Sequence, residues 1–255
     1  MSIKGIDVSK WQGQIDWAKV KADGIQFAMI RAGYGQNNID PQFKRNAEQC
    51  AKVGMPFGVY WFSYALNVSD AEKEAAYCLA AVKPYKLEYP ICFDFEYDSV
   101  EYAKKQGVNV TKTLASQIVK AFCNRIEKAG YFAMNYANLD YLKNYFTDEV
   151  NARYGLWLAA WNNKSDPPRD CYIWQYTNSG KVNGISGAVD LNRSYVDFPT
   201  FLREQKLNNL GNWYDSAMKW GVDNGIISNA DGAEKTVTKA QVVTMLMKYH
   251  KKFGG

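Results

Sequence analysis

The 255-residue chain contains a single histidine, His250, close to its C-terminus. Nucleophile systems that use histidine as the base therefore have none to use in the body of the chain. Zinc hydrolysis loses its usual ligands for the same reason. The five cysteines, at 50, 78, 92, 123 and 171, are odd in number and widely spaced. That pattern argues against both a disulfide framework and a metal cluster. In settings such as "PICFDF" they read as small reduced hydrophobes. No run approaches the roughly 18 apolar residues of a membrane span, and "MSIKGIDVSKW" shows no apolar signal core. The expected product is soluble and made in a reducing compartment, and it works outside the cell only if something else releases it. No glycine-rich phosphate loop follows a strand-like run, so nucleotide chemistry has no support. The net charge of +5 is scattered rather than gathered into a stripe, which argues against nucleic acid as a partner. A mild positive charge suits an anionic polymer, or simple solubility.

Hydrophobic residues make up 47% of the chain and aromatics 15%, enough for one large core with a small companion. Strand-like runs fall at 4–8, 26–32, 57–62, 90–95, 131–136, 156–161, 172–176 and 188–191. Helical stretches fit at 40–53, 69–82 and 110–129, the last with Thr111 as N-cap and Gly130 beyond its end. Eight strands with intervening helices predict an α/β fold, a parallel (β/α)8-like barrel. The later connections are too short for full helices, so the barrel is irregular, with its late helices missing. An open doubly wound sheet is the competing architecture. The barrel domain is expected over 1–203. Residues 204–255 read as a small helix-turn-helix module, in which Thr238 caps an amphipathic second helix.

Acids end several of these strands. In "YPICFDFEYDS" the alternation of side chains puts Asp94 and Glu96 on one face and Phe93 and Phe95 on the other. Asp98 reads as a turn former or helix cap. Asp7 closes the first strand in "GIDVSKW", and Asp190 lies in the last in "AVDLNRS". A closed barrel makes first and last strands neighbours, so all four acids converge on the C-terminal mouth where barrel sites lie. Such repulsion is characteristic of working sites. With histidine and metal chemistry excluded, carboxylate-only catalysis remains, most commonly glycoside hydrolysis. Tyr34, Tyr60, Trp61, Tyr136, Trp161, Trp174 and Tyr176 stand in or just after strands and suit the apolar faces of sugars, though each is equally readable as core. Alternation favours Tyr60, Tyr136 and Trp174 at the mouth.

The segments "KGIDVSKWQGQIDWAKVKADGIQFAMIRAGYG", "PFGVYWFSYA", "YPICFDFEYDS", "LWLAAW", "IWQYT" and "GAVDLNRSY" together resemble the glycoside hydrolase family 25 lysozymes of bacterial autolysins and phage endolysins. The resemblance covers residues 3–200. It implies cleavage of the β-1,4 bond between N-acetylmuramic acid and N-acetylglucosamine in peptidoglycan, with no cofactor. It also implies Glu96 as general acid, Asp94 as its partner, and Asp7 and Asp190 as flanking aspartates. Spacing along a strand leaves retaining and inverting outcomes both open. A substrate-assisted route, like that of family 18 chitinases, is the expected one. A wall-binding barrel without catalysis and a chitinase-type hydrolase are the alternatives. The terminal module, through "WYDSAMKWGVDNGIIS" and "VTKAQVVTMLMKY", resembles one S-layer homology repeat. That implies binding to secondary cell-wall polysaccharide, or self-association into a homo-oligomer.

Overall fold

The computed structural model describes residues 2–161 and 165–207. The chain divides into two units, residues 1–202 and 203–255. The helix-turn-helix expected over 209–255 lies outside the described residues.

Eight strands close into a barrel: β1 (Ile3–Val8), β2 (Phe27–Tyr34), β4 (Phe57–Phe62), β5 (Ile91–Asp94), β6 (Ala133–Asn138), β7 (Gly155–Ala159), β8 (Ile173–Gly180) and β9 (Val189–Ser194). A two-residue strand, β3 (Asn38–Ile39), pairs antiparallel with the end of β2. Parallel pairing runs from β1 through β2, β4, β5, β6 and β7 to β8. The expectation of an all-parallel barrel is corrected at the last strand. β9 is antiparallel to both β8 and β1. The link from Gly180 to Val189 is shorter than the dozen or so residues that a parallel crossover needs, so the chain turns straight back.

The helices lie mainly in the first two thirds. The helix α2 (Phe43–Val53) buries Phe43, Asn46, Ala47 and Cys50, spaced at three, four and seven residues, and ends on Gly54 in the left-handed conformation at φ 63°. The helix α3 (Val68–Val82) is capped by Asn67, whose side chain accepts from the Asp70 N–H at 3.0 Å. The helix α5 (Lys112–Lys128) begins at Thr111, whose hydroxyl accepts from the Leu114 N–H at 3.1 Å. Short helices α1 (Trp17–Ala22), α4 (Tyr97–Lys105), α6 (Leu139–Asn144) and α7 (Asp148–Arg153) fill connections that the sequence reading left open. No helix is described between β7 and β8, in keeping with the expected loss of late helices.

Two apolar layers result. Outside the strands, Ile30, Val59, Phe93, Phe95 and Phe122 pack between sheet and helices. Inside the barrel are Phe27, Met29, Tyr89, Cys92, Met134, Trp157 and Ile173. Phe198, which opens the helix α8 (Phe198–Leu207), packs at a tilt against Tyr89 and Phe132 with ring centres 5.2 and 6.0 Å apart. Since Tyr89 and Phe132 lead into β5 and β6, Phe198 plugs the N-terminal end and leaves the C-terminal end open. Gly5 permits this packing, because a Cβ there would overlap the Phe27 ring.

Candidate active site

The open end holds a cleft of about 330 Å³ whose lining includes Asp7, Asp94, Glu96 and Asp190. Each acid arrives by a different local route. Asp94 is the last residue of β5, and the register sets it between Phe62 of β4 and Tyr136 of β6. Glu96 is not part of the strand; it is the extended residue that precedes α4, at φ −126°. The backbone therefore stays extended past the last ladder pair, so Glu96 follows Asp94 into the cleft while Phe93 and Phe95 stack outside at 6.2 Å. Ser99 fixes this conformation, its hydroxyl accepting from the Glu96 N–H at 3.0 Å. Asp98 lies in the first turn of α4, and Glu96 stands at the cap position instead.

Asp7 and Asp190 are directly opposed in the antiparallel β1–β9 pair. Because β9 runs back from the mouth, its second residue lies level with the end of β1. The reversal of the last strand is what places Asp190 at the mouth.

The two pairs carry similar electrostatics. Burial, and then the charge of Glu96, push the Asp94 carboxyl well above the usual carboxylate range, and the two side chains share a hydrogen bond. Burial raises Glu96 as well. Asp7 is pushed well up by burial and by Asp190, against the pull of amides from Gln175 and Asn192. Asp190 is raised by burial. Within each pair the ionisation of one carboxyl disfavours that of the other, so the two titrate as a unit. Raised, coupled carboxyls of this kind can chemically serve proton donation to a glycosidic oxygen beside carboxylates that stabilise positive charge.

Among the aromatics, Tyr60, Tyr136 and Trp161 line the cleft. Trp161 is 57% exposed at its rim, while Tyr60 and Tyr136 are buried against Trp157. Trp174 does not face the mouth. It is 1% exposed in the outer layer, where its indole N–H donates to Ala160 O at 2.9 Å. On β8 the inward residues are Ile173 and Gln175, which reverses the expected phase. Tyr34 is also outside the cleft lining; its ring lies 5.4 Å from the Arg31 guanidinium at the end of β2. Tyr176, which follows Gln175 on β8, packs against the outer layer. Sequence reasoning missed Trp11, Arg31, Trp157, Gln175 and Asn178 in the lining. Trp11 is 75% exposed on a 3-10 turn, Lys10–Gln12, pinned by reciprocal Ser9 and Gln12 side-chain bonds. An exposed tryptophan on a locked turn and a glutamine inside a buried strand were the available signals.

A closed barrel whose mouth carries two hydrogen-bonded carboxylate pairs and aromatic walls has the form of a carboxylate-type glycoside hydrolase site. The profile of Glycosyl hydrolases family 25 matches residues 6–185, and the chain belongs to that family. It is 31% identical over 201 residues to the uncharacterized protein YegX of Escherichia coli O6:H1, covering 75% of this chain and 69% of that one. It is 28% identical over 201 residues to Lysozyme M1 of Streptomyces globisporus, covering 75% and 67%. The barrel is similar to the modular autolysin LytC of Streptococcus pneumoniae, solved in complex with a synthetic peptidoglycan ligand. There the TM-score is 0.69 and the identity 28%, over 76% of this chain and 47% of that one. This chain thus spans less than half of that autolysin.

Proposed function

We propose that the chain is a lysozyme that hydrolyses the β-1,4 bond between N-acetylmuramic acid and N-acetylglucosamine in peptidoglycan. Similarity to Lysozyme M1 and to an autolysin solved with a peptidoglycan ligand supports the substrate class. The observation that carries the reading is the buried Asp94 hydrogen-bonded to the half-buried Glu96 in the cleft.

In this reading Glu96 gives its proton to the glycosidic oxygen as the bond from that oxygen to C1 breaks. The substrate's own 2-acetamido oxygen forms a bond to C1, and Asp94 orients the amide and balances the positive charge of the oxazolinium. Water then opens that ring at C1 and returns a proton to Glu96, which gives net retention. Asp7 and Asp190 hold negative potential on the other wall. Tyr60, Tyr136 and Trp161 offer ring faces to the sugars.

Residues 204–255 are proposed to hold the enzyme at the wall, through secondary wall polysaccharide or through self-association. The site of action is proposed to be the bacterial wall, after release by a phage or by lysis of the producing cell. The deciding experiment digests purified peptidoglycan and, in parallel, chitin, and reads the fragments by mass spectrometry and the new anomeric centre by NMR. A new reducing N-acetylmuramic acid, first formed as the β anomer, is the expected product. A reducing N-acetylglucosamine, or cleavage of chitin alone, would overturn the substrate; a first-formed α anomer would overturn retention.

A further inference from the structure

We infer that Gln175 and Asn192 are positioning residues: two buried amides, each locked in orientation by a tryptophan N–H, hold Oδ2 of Asp7 as a bare acceptor. They thereby confine the proton of the Asp7–Asp190 pair to the opposite oxygen. The inference rests on the proposed function only where turnover is measured.

The orientation of each amide follows from donor chemistry. An indole N–H can only donate. Trp161 Nε1 lies 3.0 Å from Gln175 Oε1, and the Tyr136 hydroxyl donates to the same oxygen at 3.0 Å. A flipped amide would set one N–H against another, so Nε2 must face Asp7 Oδ2, which it does at 2.9 Å. The same reasoning applies to Asn192. Trp157 Nε1 donates to its Oδ1 at 2.8 Å, and its Nδ2 donates to Asp7 Oδ2 at 2.7 Å. One carboxylate oxygen thus accepts two short bonds from donors that cannot turn away. A proton on that oxygen would displace one of them. Gln175 and Asn192 are 3% and 1% exposed, so water does not relieve the constraint. Asp7 also shares a hydrogen bond with the Asp190 carboxyl, and with Oδ2 taken up by the two amides the other oxygen is the one left to carry the shared proton.

Around Asp7 stand Asp190 of β9, Arg31 of β2, Tyr60 of β4, Cys92 and Asp94 of β5, and Tyr136 of β6. Among these, Arg31 is committed to Asp40 at 2.7 Å, which leaves the amides as the donors that stabilise the charge on Asp7. The network also has an open end. Trp161 stands half out of the protein at the rim, and a sugar stacked there would bear on the amide that holds Asp7. Occupancy of the rim and the charge state of the acid are joined through one side chain.

The test labels the aspartate carboxyls with carbon-13 and follows Asp7 by NMR titration in the full chain, with pH profiles of kcat and KM on soluble glycan fragments measured alongside. The variants are Gln175→Met and Asn192→Leu, each near in size and lacking the amide. Each removes one donor, so the Asp7 midpoint should rise by about one pH unit, and the acidic limb of kcat should rise with it. KM should rise about tenfold for Gln175→Met, which also frees Trp161, and stay within about threefold for Asn192→Leu. Should either variant fail to fold, Trp161→Phe removes one lock from a largely exposed ring and should raise the midpoint by a smaller amount. An Asp7 midpoint that stays in place in the folded variants overturns the inference. Because the titration is read without turnover, a shifted midpoint in a protein that cleaves no peptidoglycan would support the amide arrangement while counting against the lysozyme reading.

Discussion

Asp40, which follows β3, and Asp94, at the end of β5, are buried acids, 2% and 4% exposed, but the chain surrounds them in contrary ways. Asp40 accepts from Arg31 Nε at 2.8 Å, from the Lys10 N–H at 3.0 Å and from the Gln42 N–H at 2.9 Å, with the Arg31 ion pair beside them. It ties the turn after β1 to β2 and is satisfied. Asp94 has one buried oxygen without a partner, and its other tie is to a second acid, Glu96. Leaving a buried carboxylate short of donors costs stability, and a chain tolerates that cost where the unmet capacity is used on something not yet present. The Arg31–Asp40 corner is satisfied within the fold; on the proposed function, the Asp94–Glu96 edge is the place prepared for a ligand.

The comparison breaks first, and by the largest margin, at Glu96. Glu96→Gln keeps the size and removes the transferable proton, so kcat should fall about a thousandfold or more while the thermal midpoint holds. Turnover on wall fragments, read beside a melting curve, checks this, and a near-normal rate in the Glu96→Gln variant would return Glu96 to ordinary structure. Asp94→Asn should cost about a hundredfold in kcat. Its effect on stability has a definite sign. Burial raises the folded carboxyl of Asp94 above its unfolded value, so the folded state binds more protons. Parent stability then falls as pH climbs through and above the ordinary carboxylate range. The variant escapes that loss: its Tm should match the parent near pH 4 and exceed it at pH 8.

Most of the barrel was readable because strands buried on both faces are short, apolar and β-branched or aromatic, whatever their neighbours. The same double burial hid the phase. In "IWQY" either face is apolar, so alternation could not say whether Trp174 or Gln175 looks inward; the polar side chain inside a buried strand was the better guide. The acids stood out for another reason: one carboxylate at a strand end is ordinarily a turn former or cap, but several strands ending in acids converge on one mouth. Glu96 reaches the cleft lining although the strand ends two residues earlier, because its backbone remains extended. The reversal of β9 was open to view in the shortness of the preceding loop. The amide network was not, since Asp7, Gln175 and Asn192 lie far apart in the chain and meet only on closure.

The satisfied corner yields the third test. Asp40→Asn removes the charge that balances Arg31, whose side chain is 12% exposed. An uncompensated buried guanidinium should cost about 3 kcal/mol. In a domain of this size that is on the order of 10 °C in Tm. kcat at a temperature where the variant is folded should fall far less than for Glu96→Gln. Loss of turnover without loss of Tm would mean that Asp40 belongs with the cleft acids after all.

Glu74 gives the smallest effect and the finest distinction. It lies fully buried on α3, accepting from the Tyr64 N–H at 2.9 Å and from the Ser63 side chain, with one oxygen left without a partner. Like Asp94 it keeps one oxygen without a partner, yet it is no part of the cleft lining. Burial pushes its carboxyl up to about 7. The folded protein therefore holds this proton more tightly than the unfolded chain, and stability is lost as pH rises from the ordinary glutamate range through 7. Glu74→Gln keeps the acceptor for Tyr64 and abolishes that loss. Between pH 5 and pH 8 the parent should lose on the order of 5 °C more in Tm than the variant, with kcat alike in both. If kcat and its pH limbs moved instead while Tm did not, a missing donor would mark function even away from the cleft. The contrast between Asp40 and Asp94 would then rest on position alone, because the Ser63 N–H that donates to Asp94 O at 2.7 Å would be the route by which α3 reaches the site.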